Sequence, residues 1–337
     1  MTVSDTTAHG PSALERFERQ LQARHLAPLW RVLLRLTPRE PPTAALPARW
    51  EAAELREQLR AAAEVISASE AERRVLVLEN PAHTGESRIT ASLYAGVQLI
   101  LPGEIAPSHR HAAAALRFIL EGEGAYTTVG GQRLPMHRGD LVVTPSWSYH
   151  EHGNTGQEPV MWLDGLDVPI VNALNAAFSE QDTRAARTSQ TTSADSPSSL
   201  TEDTSLANVY FPIERTLEAL EAESHSGRRD DHSGTRLEFC GPTGTSITPT
   251  LGAAMQRLPA GFAGRRYRST DGTVLAVLSG RGRIDFSGQS YPLERNDIVA
   301  VPSWTWHALS AERDLTVFSF SDRPLQRHLR LWREQRA

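Results

Sequence analysis

Lysine is absent from the 337 residues; all 35 basic side chains are arginine. That excludes Schiff-base chemistry and a phosphate-binding P-loop lysine. It also leaves any carboxylate recognition to arginine, whose planar guanidinium makes two parallel hydrogen bonds. Cysteine occurs once, at Cys240, so there is no disulfide framework within the chain, and a reducing cytosol is the expected setting. No uncharged apolar run approaches the roughly 20 residues that cross a bilayer, and the N-terminus carries no charged-then-apolar leader. The net charge of −5 offers no basic surface to nucleic acid. These absences predict a cytoplasmic protein without membrane or nucleic-acid partners. With 39% hydrophobic residues, the chain is long enough for one large or two medium cores.

Residues 1–10 are polar and read as loose. Ser12 to His25 reads as a helix with Leu14, Phe17 and Leu21 on one stripe, residues 38–47 as a proline-rich connector, and Trp50 to Ser67 as a second helix. From Arg73 the period changes to that of strands, at Val75 to Leu78, at Ser92 to Leu101, and in short glycine-punctuated runs to about Leu166. Pro169 to Glu180 reads as helical. Gln181 to Ser205 is Ser/Thr/Asp-rich and reads as a linker or loop.

Within the strand region stands His109-Arg110-His111, followed by His150. Side chains alternate along a strand, so His109 and His111 share a face, and His150 reaches them from another strand. Three imidazoles without a carboxylate suit a borderline divalent metal: Fe(II), Zn(II), Ni(II) or Cu(II). Three protein ligands leave coordination positions open, as catalytic sites do. Ala113, Ala115 and Arg117 share the inward parity of the two histidines. A buried guanidinium needs an anion, which leaves two readings of Arg117: a clamp on a substrate carboxylate, or one half of a structural ion pair.

The chain then repeats itself. Gly261, Gly280-Arg281-Gly282 and Asn296-Asp297 to Trp306-His307 match Gly103, Gly122-Glu123-Gly124 and Gly139-Asp140 to His150, an internal duplication. At the positions of His109 and His111 the second copy has Tyr267 and Ser269; only His307 survives, a poor divalent site. Phe318 to Ala337 reads as a short strand and an Arg-rich helix.

Gly103-x5-His109-x-His111-x3-Ala115-x6-Gly122 resembles the first cupin motif, and Gly139-x5-Pro145-x-Trp147-x2-His150-x3-Asn154 the second. Ala115 replaces the usual metal-binding glutamate and Trp147 a usual glycine. Both departures are shared with the gentisate 1,2-dioxygenase and salicylate 1,2-dioxygenase group, which the chain also resembles at Ala115 to Phe118, Glu121 to Tyr126, Thr144 to Trp147 and His150 to Asn154. The resemblance runs from about residue 70 to about 325. It implies a mainly β bicupin with an N-terminal helical region. The parts are a helical arm over 1–72, a metal-binding cupin over 73–180, the linker or loop over 181–206, and a metal-free cupin with a C-terminal helix over 207–337. It further implies one Fe(II) per chain held by His109, His111 and His150, an aromatic 2-hydroxy acid and O2 as substrates, and a homo-oligomer, a tetramer in this group. The implied reaction breaks the ring between its carboxyl-bearing and hydroxyl-bearing carbons and inserts both oxygen atoms.

The group places an arginine at the Arg117 motif position, on the substrate carboxylate. Arg73 is a second candidate for the substrate, against a surface role. Tyr94, Gly96 and Gln98 share one face of a strand, which reads as a pocket wall or as a partly exposed strand. The resemblance sets His152 beside bound oxygen or substrate and lets Asp164 orient a histidine; for both, a structural hydrogen bond is the alternative. Ala112-Ala113-Ala114 departs from the polar residues expected of gentisate enzymes and widens the expected substrates to salicylate, 5-substituted salicylates and 1-hydroxy-2-naphthoate. The competing functions are a non-dioxygenase metal enzyme, which would need an acid or base where Ala115 stands, and a binding cupin, a class that tends to lose the metal triad.

Overall fold

In the computed structural model, residues 12–42, 44–182, 209–227, 229–241 and 243–337 are described; residues 1–10 and most of the 181–206 segment lie outside this set. Residues 12–42 belong to a compact unit of their own. Ser12 and Glu15 form a reciprocal capping box on α1 (Ala13–Gln22). A second helix, α2 (Leu29–Leu36), was not foreseen in the sequence. Glu18 on α1 accepts from Trp30 and Arg31 on α2.

The remaining residues build two β-barrels that share a core. The first consists of a six-stranded and a five-stranded sheet. The former contains β2 (Val75–Val77), β3 (Tyr94–Ile100), β5 (Ala115–Glu121), β8 (Leu141–Thr144) and β10 (Val160–Leu166). The latter contains β4 (Ile105–His111), β6 (Ala125–Val129), β7 (Gln132–Met136) and β9 (His150–Asn154). Strand β5 shows why these sequences are nearly continuous in apolar residues: it is covered on both faces. Ile119 points into the barrel with Val142 and Trp162. Leu116, Phe118 and Leu120 point out of it into a core that includes second-barrel residues, and Phe118 stacks on Phe318 at 4.1 Å. Arg117 has the parity of Ile119, as the alternation from His111 required.

The second barrel is a nine-stranded sheet. Its strands are β13 (Thr235–Glu238), β14 (Gly252–Leu258), β15 (Tyr267–Ser269), β16 (Thr273–Phe286), β17 (Gln289–Leu293), β18 (Ile298–Val301) and β19 (His307–Ser321), joined by two strands from elsewhere in the chain. Register shifts at Val277, Ser279 and Arg281 let the long β16 bend through both halves of the barrel.

The barrels exchange their entry elements. β1 (Ala48–Trp50), which precedes α3 (Ala52–Val65), the single-turn α4 (Ala68–Ala71) and the whole first barrel, pairs with β18 of the second. β12 (Tyr210–Phe211), which precedes α6 (Ile213–His225) and the second barrel, pairs with β8 of the first. One buried aspartate fastens each exchange. Asp297 accepts from Arg49 at 2.9 Å and from the Ala52 amide at 3.0 Å. Asp140 accepts from the Tyr210 hydroxyl and the Ile213 amide, both at 2.8 Å. Each aspartate thus satisfies an open amide at a helix start, and each charged hydrogen bond contributes about 1.5–3 kcal/mol. The aspartates are equivalent residues of the two repeats.

Two expectations need correction. Pro169 to Glu180 is not helical throughout: α5 (Val168–Ala173) ends early and Ser179–Gln181 forms β11, which pairs with β4. Likewise, the C-terminal helix α7 is only Arg323–His328, and Glu334–Arg336 forms β20, paired with β15. In both places the strand adds to an open sheet edge whose position only the folded barrel defines.

Candidate metal centre

Strand pairing of β4 with β9 sets His109 directly across from His150, and His111 follows on the same face. Their rings close to centroid separations of 4.2, 4.9 and 5.6 Å, and one ligand atom from each lies within 4.8 Å of the others. Each Nδ1 is held by a nearby carbonyl: His109 on Pro107 at 2.9 Å, His111 on Ala113 at 2.7 Å, His150 on Ser148 at 2.9 Å. A proton on Nδ1 leaves the Nε2 lone pair for a metal. The Nε2 atoms of His109 and His150 are buried and have no protein partner, which is what a metal-ligating pair requires. Burial, reinforced by Arg73, holds His109 down to about 4. Burial holds His111 to about 4 as well, with Arg117 adding to it. Burial with Arg117 takes His150 lower still. All three are therefore neutral near pH 7, the form that coordinates.

Backbone carbonyls hold the three Nδ1 atoms, and of the two readings of Asp164 the structural hydrogen bond is the one present. That side chain accepts from Trp162 Nε1 at 3.1 Å and lies 3.4 Å from Arg117 Nε. Burial raises Asp164 to about 6 and lowers Arg117 to about 10, in each case against the pull of the partner. Arg117 also donates to Thr144 Oγ1 at 2.6 Å. The ion pair is loose: neither Arg117 Nε nor Asp164 Oδ1 makes an aligned hydrogen bond. The guanidinium is thus tethered by one hydrogen bond, with a carboxylate alongside.

A cavity of about 440 Å³ opens beside the histidines. Arg73, Tyr94, Gln98, Arg117, His152 and Asp164 all line it, as does Ala113. Gly96 does not. Its role is to make room: a Cβ there would lie 2.8 Å from the Tyr94 hydroxyl and 2.6 Å from Val75 Cγ1, so glycine lets the phenol fold back along its own strand. Burial raises the Tyr94 phenol above its ordinary range, which keeps its proton for donation. His152 is buried 5.6 Å from His150, centroid to centroid, and its Nδ1 lacks a partner. The sequence reading missed Val75, Ser87, Asn172 and Phe178, which also line the cavity. Val75 could have been found, since β2 pairs it with Gln98; Ser87 and Phe178 come from connections that carry no periodic signal, and Asn172 from the short α5.

Trp147, at a position where cupins usually place glycine, has φ +63°, and Trp304, its counterpart in the second copy, +58°. The glycine-like backbone has been kept at a strain of about 1–3 kcal/mol. The indole of Trp147 covers the Arg110 guanidinium at 4.5 Å, a cation–π contact that offsets part of the strain.

Two fused barrels, one with three converging neutral imidazoles and the other without, define a bicupin with a single candidate metal centre among the described residues. The cupin domain profile matches residues 96–167 and 254–320. Gentisate 1,2-dioxygenase 1 of Aquipseudomonas alcaligenes is 39% identical over 96% of each chain. The 1-hydroxy-2-naphthoate 1,2-dioxygenase of Nocardioides sp. is 30% identical over 93% of this chain and 85% of that protein. The crystal structure of salicylate 1,2-dioxygenase from Pseudoaminobacter salicylatoxidans with gentisate superposes with a TM-score of 0.85 at 30% identity, covering 99% of this chain and 97% of that one. The chain belongs to the gentisate 1,2-dioxygenase family. It is an oxidoreductase of the gentisate/salicylate dioxygenase type. Among the described residues, no helix is long and apolar enough to cross a membrane.

Proposed function

We propose that His109, His111 and His150 hold one Fe(II). We propose further that the enzyme cleaves a 2-hydroxybenzoate between its carboxyl-bearing and hydroxyl-bearing carbons, with both atoms of O2 entering the product. One observation carries this reading: two inward guanidiniums share the cavity with the three neutral imidazoles. Arg73 and Arg117 against Asp164 leave one positive charge, and a divalent metal would raise it to three. A carboxylate-plus-phenolate chelate is the complement. When bound, the iron would supply a Lewis-acidic, redox-active point at which substrate and O2 meet. Arg117 would take the substrate carboxylate, with Arg73 adding field. Tyr94 and Gln98 would donate to ring oxygens, Gly96 would keep Tyr94 in place, and His152 would offer its free ring nitrogen beside the reacting atoms. Ala115 keeps a fourth protein ligand out, and Ala113 leaves space along the ring.

Oxygen uptake by the iron-reconstituted protein tests this reading. Gentisate should be turned over fastest, because its 5-hydroxyl pushes electrons into the ring. Salicylate should be slower, and 5-nitrosalicylate slowest. The room at Ala113 puts 1-hydroxy-2-naphthoate in the same panel. No oxygen consumption with any 2-hydroxybenzoate would refute the assignment and favour a non-dioxygenase or binding role. We also propose a cytosolic homotetramer in which the metal-free barrel contributes contacts; a monomer by light scattering at micromolar concentration would refute that.

A further inference from the structure

The second barrel has lost its histidines but has kept its cavity. Tyr267 pairs with His307 and Arg336, just as His109 pairs with His150 and Gln181, so the space they border corresponds to the metal pocket. Its volume, about 520 Å³, exceeds the 440 Å³ of the first. A barrel that had merely become structural would have filled such a space with apolar side chains, because unfilled volume in a core is destabilising. Arginines and carboxylates line it instead: Arg236, Arg323, Arg327 and Arg336 with Asp230, Glu238, Asp271 and Glu334.

Their charges are unevenly compensated. Arg323 has Asp271 at 3.1 Å, and Arg336 has Asp230 at 2.6 Å. Arg236 and Arg327 share only Glu238, at 3.8 and 3.9 Å, too far for a hydrogen bond. Arg236 Nε is buried with no hydrogen-bond partner, and its terminal nitrogen reaches Ser319 Oγ only at 3.5 Å. Burial, with Arg323 nearby, lowers this guanidinium to about 10. Arg236 is only partly buried, but its Nε is a buried, idle, directional donor, and such a donor is suited to an anion. Part of the lining is apolar, formed by Leu275, Val301 and Leu309. At the mouth the Trp332 indole lies against Arg323 and Arg327.

We propose that the metal-free barrel is a binding site for a small organic carboxylate with a compact apolar body, of benzoate size, its carboxylate on Arg236 and its body against Leu275, Val301 and Leu309. This goes beyond the ring-cleavage reading and does not depend on it, since no metal is involved. The apolar wall selects an organic acid over an inorganic oxyanion, which would leave that wall dry and uncontacted. Gln256 stands where the first pocket has Gln98, and Arg236 pairs with it across the strands, so the anion-binding group has been introduced on an inherited frame.

Equilibrium dialysis of metal-loaded, full-length protein against benzoate tests this. Benzoate lacks the ortho hydroxyl needed to chelate a metal in the first barrel. Saturable binding is expected that weakens at least tenfold in Arg236→Met and persists in Arg117→Met. Arg327→Gln, at the exposed mouth, should weaken it several-fold; this variant decides the matter should Arg236→Met not fold. Three results would overturn the proposal: no saturable binding to the wild type, binding unaltered in Arg236→Met or, if that variant is unfolded, in Arg327→Gln, or loss of binding in Arg117→Met alone. Inorganic phosphate displacing benzoate at equal concentration would overturn the assignment to an organic acid.

Discussion

The His150→Ala variant should contain almost no iron after reconstitution and show no ring cleavage, while its fold and its melting in the metal-free form stay close to wild type. His150 is held by Ser148 and sits directly across from His109, so removing it opens one side of the ligand set. Structural four-ligand zinc sites bind with about 10–16 kcal/mol, which makes one ligand worth about 3 kcal/mol, or roughly two orders of magnitude in affinity. Atomic absorption on the dialysed protein measures this directly. His307→Ala should leave iron content unchanged. Iron bound at full stoichiometry in His150→Ala would remove the three-histidine site from consideration. The pH dependence has a definite sign. Burial holds His109 and His111 at about 4, below the ordinary value of about 6.5. The folded protein therefore takes up fewer protons than the unfolded chain in that window. Metal-free protein should lose stability as pH falls from about 6.5 towards 4, and iron retention should fail towards the lower end.

Arg117→Ala should lower kcat/KM on the best 2-hydroxybenzoate by well over an order of magnitude with iron still bound. Deleting one partner of a charged hydrogen bond in a desolvated pocket costs about 2–5 kcal/mol. Arg117→Lys should rescue little, since an ammonium cannot make two parallel bonds in one plane. The loose pair with Asp164 makes a second variant necessary. Removing Arg117 strands a buried carboxyl already raised to about 6, which then stays protonated to higher pH. Arg117→Leu combined with Asp164→Asn removes both charges and should restore stability without restoring turnover. Normal kcat/KM in that double variant would show that Arg117 serves only as a structural counter-ion.

The catalytic-side barrel was legible because its signals are local. His109, His111 and Arg117 take their facing from the strand period, and the glycines of the cupin motifs mark the turns. Apart from the helix α2, the elements that escaped are strands two or three residues long that depend on distant partners. Nothing about Ala48–Trp50 or Tyr210–Phe211 indicates a strand until β18 and β8 are in place. The same holds for β11 and β20, where helical patterning covered segments that became edge strands. Of the two readings of Asp164, the structure shows the hydrogen bond, for a geometric reason: on its strand it faces the same way as Trp162 and lies across from Arg117, while the histidines meet their carbonyls within their own segments. Alternation sets Gly96 on the face of Tyr94 and Gln98, but that it makes room for Tyr94 could be seen only in three dimensions.

The exchanged entry strands set a schedule for synthesis. β1 is translated well before its partners Ile298, Val299 and Ala300, which lie beyond the whole first barrel in the chain. Until then its edge is open and α3 lacks the aspartate that caps it, whereas β12, translated well before β18, can already complete the first barrel. The docking of β1 therefore waits for the second barrel, in a late step dominated by pairings between residues far apart in sequence, the regime in which folding is slow.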